Sequence, residues 1–170
     1  KYRSKREDPV WRNTWDWALF VGGAVPALIF GVAVGNVLQG VPFHLTDSLM
    51  PMYDGTFYGK FLGLLNPFAL LAGVVSLSML IMHGAAWLSL KAEDPIKARA
   101  RSIGTVSGIV AFAAYALAGL WLAFGIDGYA FAGNVITDGP SNPLFSDVIK
   151  GDSWLVAYAT RPWIVVAPIM

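Results

Sequence analysis

Three stretches of this chain carry no charge, and the charged residues crowd the ground between them. No Asp, Glu, Lys or Arg occurs between Asp16 and Asp47, between Lys60 and Lys91, or between Arg101 and Asp127. Each gap can hold the ~20 apolar residues that an α-helix needs to cross a ~30 Å hydrocarbon layer. The pattern predicts spans at about 17–38, 65–90 and 103–126, with the start of a fourth at 162–170. The expected fold is all-α: a polytopic transmembrane helix bundle, a single membrane domain over 1–170 taken from a longer subunit.

Local signals place the ends of these spans. Asp8-Pro9 and Asn66-Pro67 each read as a capping side chain followed by Pro at the first helical position. The first should open a short helix over 10–15 that leads into the first span; the second should open the second span. Asp94-Pro95 repeats the signature and predicts a short separate helix between the second and third spans. Pro26 lies inside the first span, where it removes one backbone hydrogen bond and should kink the helix. Asp127-Gly128 is a turn signal ending the third span, and Gly139-Pro140-Ser141-Asn142-Pro143 marks a later loop. The loop over 39–64 is rich in Gly, Pro, Phe and Tyr, a composition suited to packing at the membrane interface.

Charge adds an orientation. The net charge of +1 is uninformative, but nine of the twelve basic residues fall before the first span or between the second and third. The positive-inside rule puts those two segments in the cytoplasm. Trp11, Trp15 and Trp17 stand where an aromatic belt at the headgroups belongs. There is no cysteine, which excludes disulfides, iron–sulfur clusters and thiolate catalysis. Ala27, Gly31 and Gly35 recur at every fourth residue of the first span, and Gly104 and Gly108 open the third. In lipid such small faces let helix backbones approach closely.

Candidate chemistry is sparse. His83 is an ionisable side chain well inside a span, which admits a haem ligand, a proton relay, or an imidazole hydrogen-bonded to a neighbouring helix. His44 falls in the loop at the opposite end. Asn36 and Gln39 lie three apart on one side of the first span's end. They are the weak cofactor-binding candidates: their amides could bind a quinone carbonyl or satisfy helix ends. Asp127 could guard a proton exit or stabilise a turn. Met50, Met52, Met79 and Met82 are not spaced like a copper site. No nucleotide, zinc-protease or serine-hydrolase motif occurs, so neither catalytic nor metal-ligating residues are assigned.

Several stretches together resemble one family. Tyr2-Arg3-Ser4-Lys5, Trp11-Arg12-Asn13-Thr14-Trp15-Asp16-Trp17 and Gly35-Asn36-Val37-Leu38-Gln39-Gly40-Val41-Pro42-Phe43 are similar to subunit II of the cytochrome bd quinol oxidases. Leu65-Asn66-Pro67-Phe68, Leu71-Ala72-Gly73-Val74, Leu117-Ala118-Gly119 with Trp121, Gly125-Ile126-Asp127-Gly128-Tyr129 and Ser141-Asn142-Pro143-Leu144 continue the match in order.

The resemblance implies a two-subunit terminal oxidase of bacterial respiratory membranes, which oxidises quinol and reduces oxygen to water. In that family subunit I carries two b haems and one d haem. Subunit II carries none, pairs with subunit I and contributes to proton and oxygen access. By that resemblance this stretch binds no haem itself, and a structural quinone is possible. Its partners would be subunit I, quinone or quinol and the lipid bilayer, without nucleic acid. The resemblance also implies that the family's proton-path residues lie outside this stretch and that His83 is no haem ligand. The alternatives are a polytopic transporter and a quinone-binding membrane anchor of another respiratory complex.

Overall fold

The computed structural model describes residues 2–53, 56, 59, 62–133, 138, 148–151 and 154–166. Three long helices dominate: α1, Pro9–Gln39; α2, Pro67–Lys91; and α3, Ile96–Gly125. All three are long and apolar enough to cross a membrane, so the chain is a membrane protein built as a helix bundle. Two antiparallel ribbons lie in the connections, β1 (Phe43–Leu45) with β2 (Pro51–Tyr53), and β3 (Gly128–Phe131) with β4 (Val148–Gly151). A short helix α4, Val156–Thr160, and a 3-10 turn, Pro162–Val166, end the described part. The loop motif expected at 139–143 and the last residues of the expected fourth span, 167–170, lie outside the described residues; the described start of that stretch, Pro162–Val166, is the 3-10 turn. Contacts group the chain into two units, Lys1–Ala118 and Gly119–Met170.

In the first unit the helix starts follow the local chemistry. Asp8 accepts from the Val10 amide at 3.0 Å, and Asn66 accepts from the Ala69 amide at 2.8 Å. Each side chain thereby satisfies an amide that has no partner within its helix. Residues 10–15 belong to α1 itself, which runs through Pro26 without interruption and ends at Gly40, where φ is 82°.

No separate short helix follows Asp94-Pro95; α3 begins at Ile96 and takes in Lys97, Arg99 and Arg101. Alanine, lysine and arginine favour helix, and no strong breaker interrupts them before the apolar run starts. The basic segment is the first turns of the spanning helix.

α1 and α2 pack antiparallel through small residues. A Cβ on Gly31 would come within 2.7 Å of the Gly73 Cα and of the Ser76 Cβ, and would strike the Ala72 carbonyl. One on Gly35 would come within 2.7 Å of the Ala69 Cα, and one on Gly73 within 3.1 Å of a Val32 methyl. The seam therefore reads Ala27–Gly31–Gly35 against Ser76–Gly73–Ala69, and Ser76 Oγ donates across it to the Ala27 carbonyl at 2.8 Å. The direction of these pairs gathers the basic residues near 3–12, Lys91 and 97–101 at one end of the helices.

That end is braced before α1 begins. Tyr2 stacks on Trp15 with ring centroids 5.2 Å apart, and Trp11 Nε1 donates to the Tyr2 carbonyl at 3.0 Å. Arg3 grips Asp16 through two hydrogen bonds. That hydrogen bonding first, and the carboxylate's charge second, raise the guanidinium pKa above its ordinary value. These contacts tie the N-terminal segment to the first two turns of α1.

Candidate functional site

The polar cluster at the other end of the α1–α2 pair is the most fully connected in the described chain. Asn36 lies four and five residues beyond Val32 and Gly31, on the buried stripe of α1, and is 7% exposed. Its Nδ2 donates to the Val32 carbonyl at 2.9 Å and to the Leu64 carbonyl at 2.7 Å. Its Oδ1 accepts from Asn66 Nδ2 at 3.2 Å. Asn66 is meanwhile the N-cap of α2. Both amide protons and the oxygen of Asn36 are thus engaged within the chain, and the last turn of α1 is tied to the start of α2. A carboxamide here can hold polar backbone groups in place, but it has no proton to give or take at ordinary pH.

Gln39 follows three residues later. It is the final residue of α1 and half-buried. The sequence placed both amides on one side of the helix; the structure buries Asn36 in the seam and leaves Gln39 half-buried at the last position of α1.

The other candidates are scattered. His83 is exposed on α2, well over four turns or ~24 Å along the axis from Pro67. His44 is in β1, directly opposite Met52 of β2. α1 ends against the start of α2, and β1 follows that end closely, so the two imidazoles stand toward opposite ends of α2. They cannot flank one haem iron. Among the described residues no three His, Cys, Asp or Glu side chains converge to hold a metal.

In the second unit, Asp127 is exposed beyond the end of α3 and lines a cavity of about 400 Å³ with Phe124, Gly125, Trp154 and Leu155. The indole Nε1 of Trp154 is sealed from solvent and makes no hydrogen bond among the described residues. Tyr129 of β3 faces Lys150 of β4 across the ribbon. Nothing in the sequence singled out Trp154, because one tryptophan among several near a membrane gives no local signal of burial.

A seam of this kind, a helix pair locked by carboxamides at one end and by glycines along its length, is a scaffold, and comparison with known proteins says which one. The family model described as cytochrome bd terminal oxidase subunit II matches residues 1–170. The chain belongs to the cytochrome bd subunit II family.

Among curated members, the probable cytochrome oxidase subunit 2 of Haemophilus influenzae is 44% identical across 100% of this chain and 44% of its own length. The cytochrome bd-I ubiquinol oxidase subunit 2 of Escherichia coli is 42% identical across 99% of this chain and 44% of its own. A cytochrome bd ubiquinol oxidase subunit 2 from Bacillus subtilis is 25% identical across 71% of this chain. The chain spans less than half the length of the first two. Within this family the resemblance drawn from the sequence motifs is confirmed, and the transporter and membrane-anchor alternatives are not favoured.

Proposed function

We propose that this chain is the central part of a haem-free subunit II in a bacterial bd-type terminal oxidase. The assembled enzyme oxidises quinol and reduces oxygen to water. Subunit I carries the b and d haems, and this chain supports assembly and the approach of protons and oxygen to them. The match of the family model along all 170 residues carries the reading. The geometry is in keeping with it: the polar groups of the α1–α2 seam bind one another, and wide apolar surfaces face outward. The chain would reside in the inner membrane, with the basic ends of α1, α2 and α3 in the cytoplasm.

In this reading Asn36 and Gln39 are structural. Asn36 spends its hydrogen-bonding capacity on Val32, Leu64 and Asn66, which supports a role in holding the outer helix ends over one in binding a quinone. His83, exposed on α2, would contact lipid or a neighbouring helix of the oxidase.

The test is to tag the full-length subunit, purify it from native membranes and record a reduced-minus-oxidised spectrum. A d-type haem band and quinol-dependent oxygen uptake are expected. A haem-free preparation would overturn the proposal.

A further inference from the structure

At the basic end of the bundle, α2 and α3 form an open cleft of about 390 Å³ lined by Met82, Ala85, Ser89, Arg101, Gly104 and Thr105. Its floor is made of small residues. Ala85 and Ala100 are buried, and a Cβ on Gly104 would meet the Ala85 methyl at 3.1 Å. Its walls are apolar toward Met82 and polar toward Arg101. A long apolar tail suits one half and an anion the other.

The donors at the polar half can be counted. Ser89 Oγ donates to the Ala86 carbonyl at 2.8 Å, and Thr105 Oγ1 donates to the Arg101 carbonyl at 2.9 Å, so both hydroxyl protons are spent. Arg101 is the remaining donor, with the fork of N–H groups that matches a phosphate. Glu93 and Asp94 stand in the short α2–α3 connection, yet the Arg3–Asp16 pair is the one salt bridge among the described residues. Lys91, Lys97 and Arg99 lie within ten residues of Arg101 along the chain and add positive charge at this end of α2 and α3. Basic pockets between spanning helices at the headgroup level select anionic lipids.

We propose that this cleft binds one anionic phospholipid, its phosphate on Arg101 and one acyl chain over Ala85 and Gly104 toward Met82. The site is independent of the oxidase chemistry, and it would hold even if the assignment to a haem-bearing complex failed.

The test uses the intact detergent-purified membrane protein that contains this chain, with whatever subunits accompany it. After delipidation, phosphatidylglycerol or phosphatidylcholine is added back and the retained lipid is counted by native mass spectrometry. Arg101→Gln should hold phosphatidylglycerol about fivefold less tightly than the wild type, and Arg101→Lys should recover only part of the loss. Phosphatidylcholine should not distinguish wild type from Arg101→Gln. Ser89→Phe, which keeps the cation but fills the cleft, should lose the lipid as well, whereas Lys5→Gln should not. Equal retention by wild type and Arg101→Gln, or full retention by Ser89→Phe, overturns the proposal. So does displacement of the lipid by inorganic phosphate, or a photo-crosslinker at Ala86 that captures protein in place of lipid.

Discussion

α1 and α2 differ from α3 in what they touch. In their most apolar stretches, 22% of α1 and 28% of α2 are buried within the chain, but only 6% of α3. All three are apolar enough to span a bilayer, so apolarity does not explain the difference. In lipid there is no hydrophobic drive between helices, and contact depends on close approach and hydrogen bonds. The α1–α2 seam has both: Gly31, Gly35 and Gly73 for approach, and Ser76, Asn36 and Asn66 for bonding. α3 offers Gly104 and Gly108 to Ala85 and Met82 near its start, and then Val106, Ile109, Phe112, Tyr115 and Leu120 stand exposed. The first two helices bury a stripe of each other within this chain; the third leaves nearly all of its apolar surface open.

Substitutions can break that contrast. The largest effect is expected from Gly31→Leu, because the obstacles are the Ala72 carbonyl and the Gly73 backbone rather than a movable side chain end. The helices must part, at a cost on the order of 3 kcal/mol, and little intact complex should be recovered by size-exclusion chromatography.

Next comes Asn36→Leu. It takes Asn36 away from the Leu64 carbonyl and from Asn66 Nδ2 in a poorly hydrated place, which costs ~1–3 kcal/mol. Yield and melting temperature in detergent should fall while turnover per haem holds. A raised Michaelis constant for quinol with unchanged yield would instead assign the amide to substrate.

A smaller loss is expected from Ser76→Ala, since one hydrogen bond between spanning helices is worth ~0.6 kcal/mol. A melting shift of a degree or two should register it.

The smallest effect belongs to α3. Gly119 has nothing within 4 Å of an added Cβ, so Gly119→Ala should leave the melting point unchanged or raise it slightly, by less than ~1 kcal/mol. If it lowers the melting point of the assembled complex, the exposed face of α3 is a protein contact and the contrast between the two regions ends at assembly.

What could be read in the sequence follows the range of the forces involved. The caps at Asp8 and Asn66 were legible because an N-cap acts over three residues. The small face Ala27–Gly31–Gly35 was legible as a packing face, but its partner was not: Ala69, Gly73 and Ser76 make an ordinary apolar helix until another helix is laid against them. The same holds for Asn36, whose polarity marked it, while the Leu64 carbonyl and Asn66 that engage it lie far along the chain. The reading failed at Asp94-Pro95, where a cap signature suggested a helix of its own and the basic run simply continued into α3. The ribbons gave no warning either, since strands as short as β1 and β2 depend on pairing that no local pattern announces. The α2–α3 cleft needed both helices in place before Arg101 could be seen to line it.

The α1–α2 pair is closed at one end and open at the other. Asn36 and Asn66 clasp one end, but toward the opposite one Gly22 and Gly23 meet nothing within 4 Å. There a groove of about 330 Å³ lies between Leu19, Gly23 and Ala24 on α1 and Leu77, Leu80 and Ile81 on α2. Mechanically this is a pair of tongs. The carboxamide clasp is the pivot, and the tips carry the tryptophans and basic residues of the N-terminal segment. Between the clasp and the open tips, the Ser76–Ala27 hydrogen bond crosses the seam. The pair is held by two polar joints, the carboxamide clasp and the Ser76–Ala27 hydrogen bond, and both lie on the clasp side of Gly23.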